Sequence, residues 1–237
     1  MNQDLDQLSL NVALEDYVSL DKFIDCKSTQ DFLNFLRSTI SDNSISNLYF
    51  IWGAEGVGKS YIMQSLNREF LDLGKKTFHL SLADKRISSH EIFQNLDSMD
   101  IVIIENIDHL PEDEAWESEV FKLLNEALSG NTKIYISSQV VSKDLRISLK
   151  DLMSRLSYCT AIEVPEISQE EKIEALKQSS NRKGINLDTK TIQYIINNTS
   201  RSLSDLLQLI NDIDSFSLKK KKKVSVSLVK EFLNTKN

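Results

Sequence analysis

Leu48-Tyr49-Phe50-Ile51-Trp52-Gly53-Ala54-Glu55-Gly56-Val57-Gly58-Lys59-Ser60 is the stretch whose reading decides the fold. Leu48 to Trp52 is a continuous apolar run, as expected for a strand buried on both faces of a parallel sheet. Gly53 to Ser60 fills every position of a Gly-x-x-x-x-Gly-Lys-Ser phosphate-binding loop, the Walker A pattern. A nucleotide's phosphates need inward-pointing amides, a positive helix end and one mobile cation. Gly53, Gly56 and Gly58 let the backbone wrap the phosphates without side-chain clashes. Lys59 reaches the terminal phosphates, and the Ser60 hydroxyl is a Mg²⁺ ligand. A helix opening near Gly58 turns its dipole towards the anion. Val57 and Tyr61 complete the candidate nucleotide-binding set. Beyond the loop, Ile62, Leu66, Phe70 and Leu73 recur at helical spacing.

Further along, strand-like and helix-like segments alternate. Thr77 to Leu80, Ile101 to Ile104, Lys133 to Ser137 and Ala161 to Val164 read as strands. Trp116, Val120, Phe121, Leu124 and Leu128 define an amphipathic helix ending near Gly130. That order is the pattern of an α/β domain with a parallel sheet. After Pro165 the pattern is all-helical. Ser168-Gln169-Glu170-Glu171 is a capping box, and further helices are expected at about 188–197, 202–216 and 225–233. The expected organisation is a flexible tail over 1–16, an α/β nucleotide-binding domain over 17–165 and a small helical domain over 166–237. The run Lys219 to Lys223 falls between the last two expected helices and reads as a solvated connector.

Three segments carry further chemistry. Asp100-Ile101-Val102-Ile103-Ile104-Glu105-Asn106-Ile107-Asp108 ends a buried strand in an acid, as a Walker B strand does to hold the Mg²⁺ shell. Glu105 fills that place. Asn106 stands where a second acid would activate water, and an amide takes no proton, so slow hydrolysis is expected. Ser137, Ser138 and Gln139 end the next strand within reach of a phosphate or an attacking water. In Leu149-Lys150-Asp151-Leu152-Met153-Ser154-Arg155-Leu156, the planar, permanent charge of Arg155 suits bridging a phosphate on a neighbouring molecule.

Composition narrows the classes. The 237 residues are 41% hydrophobic, enough for a real core. The net charge of −7 argues against tight sequence-independent DNA binding. Cys26 and Cys159 make no zinc pattern and suit a reducing compartment. The N-terminus lacks the basic and apolar regions of a signal peptide, and the apolar runs are too short to span a membrane. A cytoplasmic location follows as an expectation.

Together these segments resemble the AAA+ ATPases, and within them the bacterial DnaA initiators, from about Tyr17 onward. The family's helix-turn-helix DNA-binding domain is not expected in this chain, and on that expectation the resemblance is to the DnaA regulatory inactivators, the Hda group. It implies an AAA+ P-loop core with a parallel sheet and an all-helical lid. It also implies that ADP or ATP with Mg²⁺ is bound, that the ADP form is the working one, and that self-association is open. Gln7-Leu8-Ser9-Leu10 matches the short motif by which such proteins bind the DNA polymerase III sliding clamp. An amide for a polar rim and two apolar anchors on a tail suit that role. By the resemblance, Arg155 is an arginine finger acting in trans on ATP held by DnaA. The lid arginine of the family is replaced by Ser204, with Arg201 one turn earlier as the candidate substitute. The adenine pocket is expected near Tyr17 to Ile24. A helicase loader of the DnaC type is the competing expectation.

Overall fold

The computed structural model describes residues 18–23, 26–42, 46–182, 184–199 and 203–236. Gln7 to Leu10 and Arg201 lie outside the described residues, as do Tyr17 and Ile24.

Five parallel strands form one sheet: β1 (Leu48–Trp52), β2 (Thr77–Ser81), β3 (Ile101–Glu105), β4 (Lys133–Ser138) and β5 (Thr160–Glu163). Their order across the sheet is β2-β3-β4-β1-β5. The pairing sets Trp52 beside Ser138 and beside Glu163, and Ser81 beside Glu105. All strands are parallel, so their carboxyl ends share one edge, where ligands of open α/β sheets bind. The strands read as apolar runs because helices cover both faces. On one face α1 (Lys27–Ser41) and α2 (Lys59–Asp72) bury Leu33, Leu36, Ile62, Leu66 and Phe70 against Tyr49, Ile51, Ile103 and Tyr135. On the other, α3 (Glu114–Ser129) and α4 (Lys150–Tyr158) pack Trp116, Val120, Leu124, Leu152 and Leu156 against Phe50, Val102, Ile104 and Ile136.

The lid comprises α5 (Gln169–Arg182), α6 (Thr189–Asn198), α7 (Leu203–Lys220) and α8 (Val226–Lys236). Its own core includes Leu176, Ile192, Ile195, Leu206, Ile210, Ile213 and Val229. The expected capping box forms: Ser168 N–H donates to Glu171 Oε2 at 2.9 Å, and Glu171 N–H donates to Ser168 Oγ at 3.2 Å. Glu171 also accepts from Ser28 Oγ at 2.9 Å, which ties the lid to the start of α1. The lysine run differs from expectation. α7 continues through Lys220 because Phe216 and Ser217 still face the lid core, Lys220 Nζ lies 5.4 Å from the Phe216 ring centre, and Lys220 pairs with Glu231 at 2.8 Å. The connector begins only at Lys221, whose φ of 53° ends the helix. Among the described residues, no helix is long and apolar enough to cross a membrane.

Candidate functional site

The Walker A residues join β1 to α2 as the sequence predicts. Gly53 N–H donates to Ser138 O at 3.3 Å, which ties the loop to the end of β4. A Cβ on Gly53 would stand 3.1 Å from Val164 O and 3.1 Å from the Val57 side chain. Gly58 caps α2 with φ of 101°, and a Cβ there would lie 2.9 Å from the Phe23 ring. Both position and close approach therefore require glycine at 58. Lys59 is 7% exposed and donates to Gly53 O and Ala54 O, each at 2.7 Å. Burial pulls its ammonium below the ordinary lysine value, and the carboxylates of Asp108 and Glu55 pull it back up. Ser60 is exposed on the first turn of α2.

The segment before α1 packs beside this loop. The Phe23 ring lies 5.9 Å from Tyr61, and Tyr61 OH donates to Ser19 O at 3.1 Å. Leu20 N–H donates to Glu69 Oε1 at 3.3 Å. Residues 19–23 thus lie against α2.

Glu105 ends β3 and is 4% exposed. Its Oε1 lies 2.7 Å from His79 Nε2 on β2. The sequence reading did not foresee this partner, which is set by strand register. Asn106 follows in the left-handed region, with φ of 59° and ψ of 53°. Its N–H donates to Ser137 Oγ at 3.1 Å and its amide Nδ2 donates to Ser81 Oγ at 3.0 Å. The amide is therefore engaged with the neighbouring strand. Asp108, at the end of the same motif, is one of the two acids, with Glu55, whose charge reaches Lys59. Its Oδ1 accepts Gln139 N–H at 3.1 Å, which draws the end of β4 and the turn after β3 together. Ser137 and Ser138 are fully buried; Ser138 Oγ accepts Val140 N–H at 3.1 Å, so both serines hold backbone.

Ser60 and Glu105 suit Mg²⁺ in chemical type, one a hydroxyl and one a carboxylate oxygen. With one oxygen on His79, Glu105 retains the other for the shell of such an ion. Among the described residues, no group of three or more His, Cys, Asp or Glu side chains forms a metal site. A P-loop ion leans mainly on phosphate oxygens, so this donor pair fits that kind of binding and no other.

Arg155 lies apart from these groups, on α4. It lines an open depression of about 410 Å³ with Phe121, Asp151, Ser154, Ser157 and Tyr158. Its Nε is buried without a hydrogen-bond partner, and it makes no ion pair among the described residues. Tyr158 beside it is 70% exposed. An arginine that served only a surface pair would be bonded to an acid such as Asp151 one turn before it, and it is not.

Comparison with known proteins agrees with this geometry. A family model described as the bacterial DnaA ATPase domain matches residues 14–163, and one described as the Hda lid domain matches residues 169–233. A Haemophilus influenzae protein described as uncharacterized is 25% identical over 229 residues, covering 96% of this chain and 98% of that one. Domain III of the Thermotoga maritima replication initiation protein DnaA superposes with a TM-score of 0.76 at 16% identity, over 92% of this chain and 96% of that one. AMPPCP-bound DnaA from Aquifex aeolicus gives a TM-score of 0.69 at 20% identity, over 82% of this chain and 65% of that one. At these identities the structural likeness is one of fold.

Proposed function

The chain belongs to the bacterial DnaA ATPase-domain family, and from that premise we propose that it regulates the initiation of chromosome replication by supplying Arg155 to ATP held on a DnaA molecule. The observation that carries the reading is the state of Arg155: a guanidinium in an open depression, with a buried Nε unpartnered and no acid paired to it among the described residues. Its fork matches two phosphate oxygens, and arginine fingers contribute roughly 10³ to 10⁵ in rate where they act. The match to an Hda-type lid supports the same reading.

On this reading the chain holds its own nucleotide, ADP or ATP, through Gly53, Gly56, Val57, Gly58, Lys59, Ser60 and Tyr61. Ser60 and Glu105 hold the accompanying Mg²⁺. Gln7, Leu8, Ser9 and Leu10 tether the protein to the sliding clamp of DNA polymerase III. Turnover of its own nucleotide is slow, because Asn106 is an amide bonded to Ser81 and offers no base. The action takes place in the cytoplasm.

Asp108 favours a second reading. Its charge, like that of Glu55, raises the Lys59 ammonium against burial, and on this second reading it serves as the base of an ATP-driven helicase loader of the DnaC type. One experiment separates the two. DnaA preloaded with labelled ATP is mixed with clamp-loaded DNA, with and without this protein, and single-turnover hydrolysis is followed. Acceleration only when clamp and protein are both present supports the regulator. No acceleration, together with steady-state turnover near the ordinary enzyme rate of about 10 s⁻¹, supports the loader.

A further inference from the structure

Glu117 is a buried acid. It lies in the first turn of α3, is 2% exposed, and forms no ion pair among the described residues. Leaving a carboxylate there is costly unless its oxygens are bonded. Both are: Oε1 accepts Ser148 N–H at 3.0 Å and Oε2 accepts Leu149 N–H at 2.6 Å. Those two amides immediately precede α4, the helix that carries Arg155.

A helix start leaves amides unsatisfied, and the usual remedy is a Ser, Thr, Asp or Asn side chain at the cap itself. Leu149 occupies that position and makes no side-chain cap. Glu117, from a different helix, accepts instead from the amides of Leu149 at the cap and of Ser148 before it, and so fixes the chain where it enters α4. A local serine cap would make no bond between α4 and α3. A carboxylate from α3 ties the start of α4 to the layer packed on the sheet. The apolar contacts between the helices, Trp116 and Val120 with Leu152 and Leu156, hold them together but lack direction. One turn beyond Glu117, Phe121 lines the same depression as Arg155.

We infer that Glu117 is a positioning residue for Arg155: it fixes the start of α4 and so sets where the guanidinium meets the triphosphate of a second nucleotide-binding protein. The inference rests on the trans-acting role of Arg155 argued above. The lever is short. Arg155 lies six residues beyond Leu149, about 9 Å along the axis, so a tilt of roughly 10° about the start of α4 moves it by about 1.5 Å. A misplacement of about 1 Å costs on the order of 100-fold in rate.

Glu117→Gln keeps the size but sets one carbonyl oxygen and one NH₂ against two N–H donors, so one bond is lost. Two measurements on the full chain test it. Amide hydrogen exchange of the ADP-loaded protein should accelerate about tenfold or more at Ser148, Leu149 and the first turn of α4, with β1 and β4 unchanged. Single-turnover hydrolysis of DnaA-bound ATP on clamp-loaded DNA should fall about 10- to 100-fold at saturating protein, with the half-saturating concentration unchanged. Adding Glu117→Gln to Arg155→Ala should slow it no further, whereas a merely structural loss would add. Glu117→Asp, which keeps the charge and reaches one amide, is run alongside so that a misfolded glutamine variant still leaves a folded protein to read; it should fall between. Unchanged exchange at residues 148–152, a full rate at saturation, or additive loss in the double variant would each overturn the inference. Absence of stimulation by the unaltered protein would defeat the regulatory reading instead, and exchange at α4 would then decide the role of Glu117 by itself.

Discussion

Glu105 Oε1 on β3 lies 2.7 Å from His79 Nε2 on the neighbouring edge strand β2. The strand-end acid that would face Mg²⁺ is thus held in place by an imidazole. With Glu105 4% exposed, removing the imidazole leaves a buried carboxylate oxygen without its partner. His79→Ala should lower the unfolding free energy by about 1–3 kcal/mol. Pairing His79→Phe with Glu105→Leu should recover part of that loss, because neither polar group then remains. Urea midpoints for the three proteins measure it, and a neutral His79→Ala would show that the contact contributes nothing.

Lys59 donates to two loop carbonyls, and both bonds are available for exchange with phosphate oxygens. It is the side-chain cation of the loop and would face two or more phosphate charges. Lys59→Ala should reduce affinity for ADP and ATP by at least about 100-fold, since each charge-assisted bond contributes roughly 1.5–3 kcal/mol. Equilibrium dialysis with labelled nucleotides reads this directly. Unchanged affinity for both would remove the phosphate-loop reading.

Alkaline pH should loosen the fold. Burial raises the Cys159 thiol from 9.0 to about 12, and it raises the buried Tyr135 hydroxyl as well. Both groups are neutral in the folded protein and ionise more readily once unfolded. The stability they contribute is complete below their ordinary values, and it is lost as pH rises from about 9 towards 12. Denaturation midpoints should therefore fall between pH 8 and pH 11. Cys159→Ala should flatten the first part of that fall and leave the part that belongs to Tyr135. A midpoint independent of pH over that span would contradict the burial of both groups.

What the sequence revealed was mostly local. β1 is an uninterrupted apolar run because both its faces are covered, and the loop after it has a complete eight-residue pattern. The capping box at Ser168 is likewise a matter of four consecutive residues. α1 carries a helical spacing at Phe32, Leu33, Leu36 and Ile40, but it opens on Cys26, whose N–H donates to Thr29 Oγ1 at 3.1 Å, and offers no motif to mark it. The partners that matter at the site come from register and packing. His79 meets Glu105 because β2 lies beside β3, and Asp108 meets Gln139 because β3 lies beside β4. Glu117 is indistinguishable in sequence from its neighbours Glu114 and Glu119, which lie on the exposed or partly exposed side of the same helix. Only the packing of α3 on α4 singles it out.

The proposed clamp tether at Gln7 to Leu10 should be separable from the fold. Gln7→Ala with Leu10→Ala removes the amide and one of two apolar anchors, each leucine worth roughly 1.5–3 kcal/mol when fully buried. Clamp binding should drop by at least about tenfold, with nucleotide affinity and thermal midpoint unchanged. A pull-down with the clamp beside a melting curve tests both halves. Clamp binding that survives the double change would mean that the motif match is accidental.

Arg155 gives the sharpest forecast, because the two accounts of it predict opposite results. If it acts in trans, it matters to another protein's ATP and not to the nucleotide proposed for the loop after β1 of its own chain. Arg155→Ala should then bind ADP normally, bind the clamp normally, and lose nearly all stimulation of hydrolysis on DnaA, a fall of roughly 10³-fold or more. Arg155→Lys should fail almost as badly, because a point charge cannot present a fork to two phosphate oxygens. If Arg155 is only a surface group, its loss costs at most about 1 kcal/mol of stability and stimulation persists. The buried Nε of Arg155, without a hydrogen-bond partner among the described residues, supports the first account. Single-turnover hydrolysis of ATP bound to DnaA on clamp-loaded DNA separates the two. Full stimulation by the alanine variant would end the regulatory mechanism and leave the nucleotide-binding fold untouched.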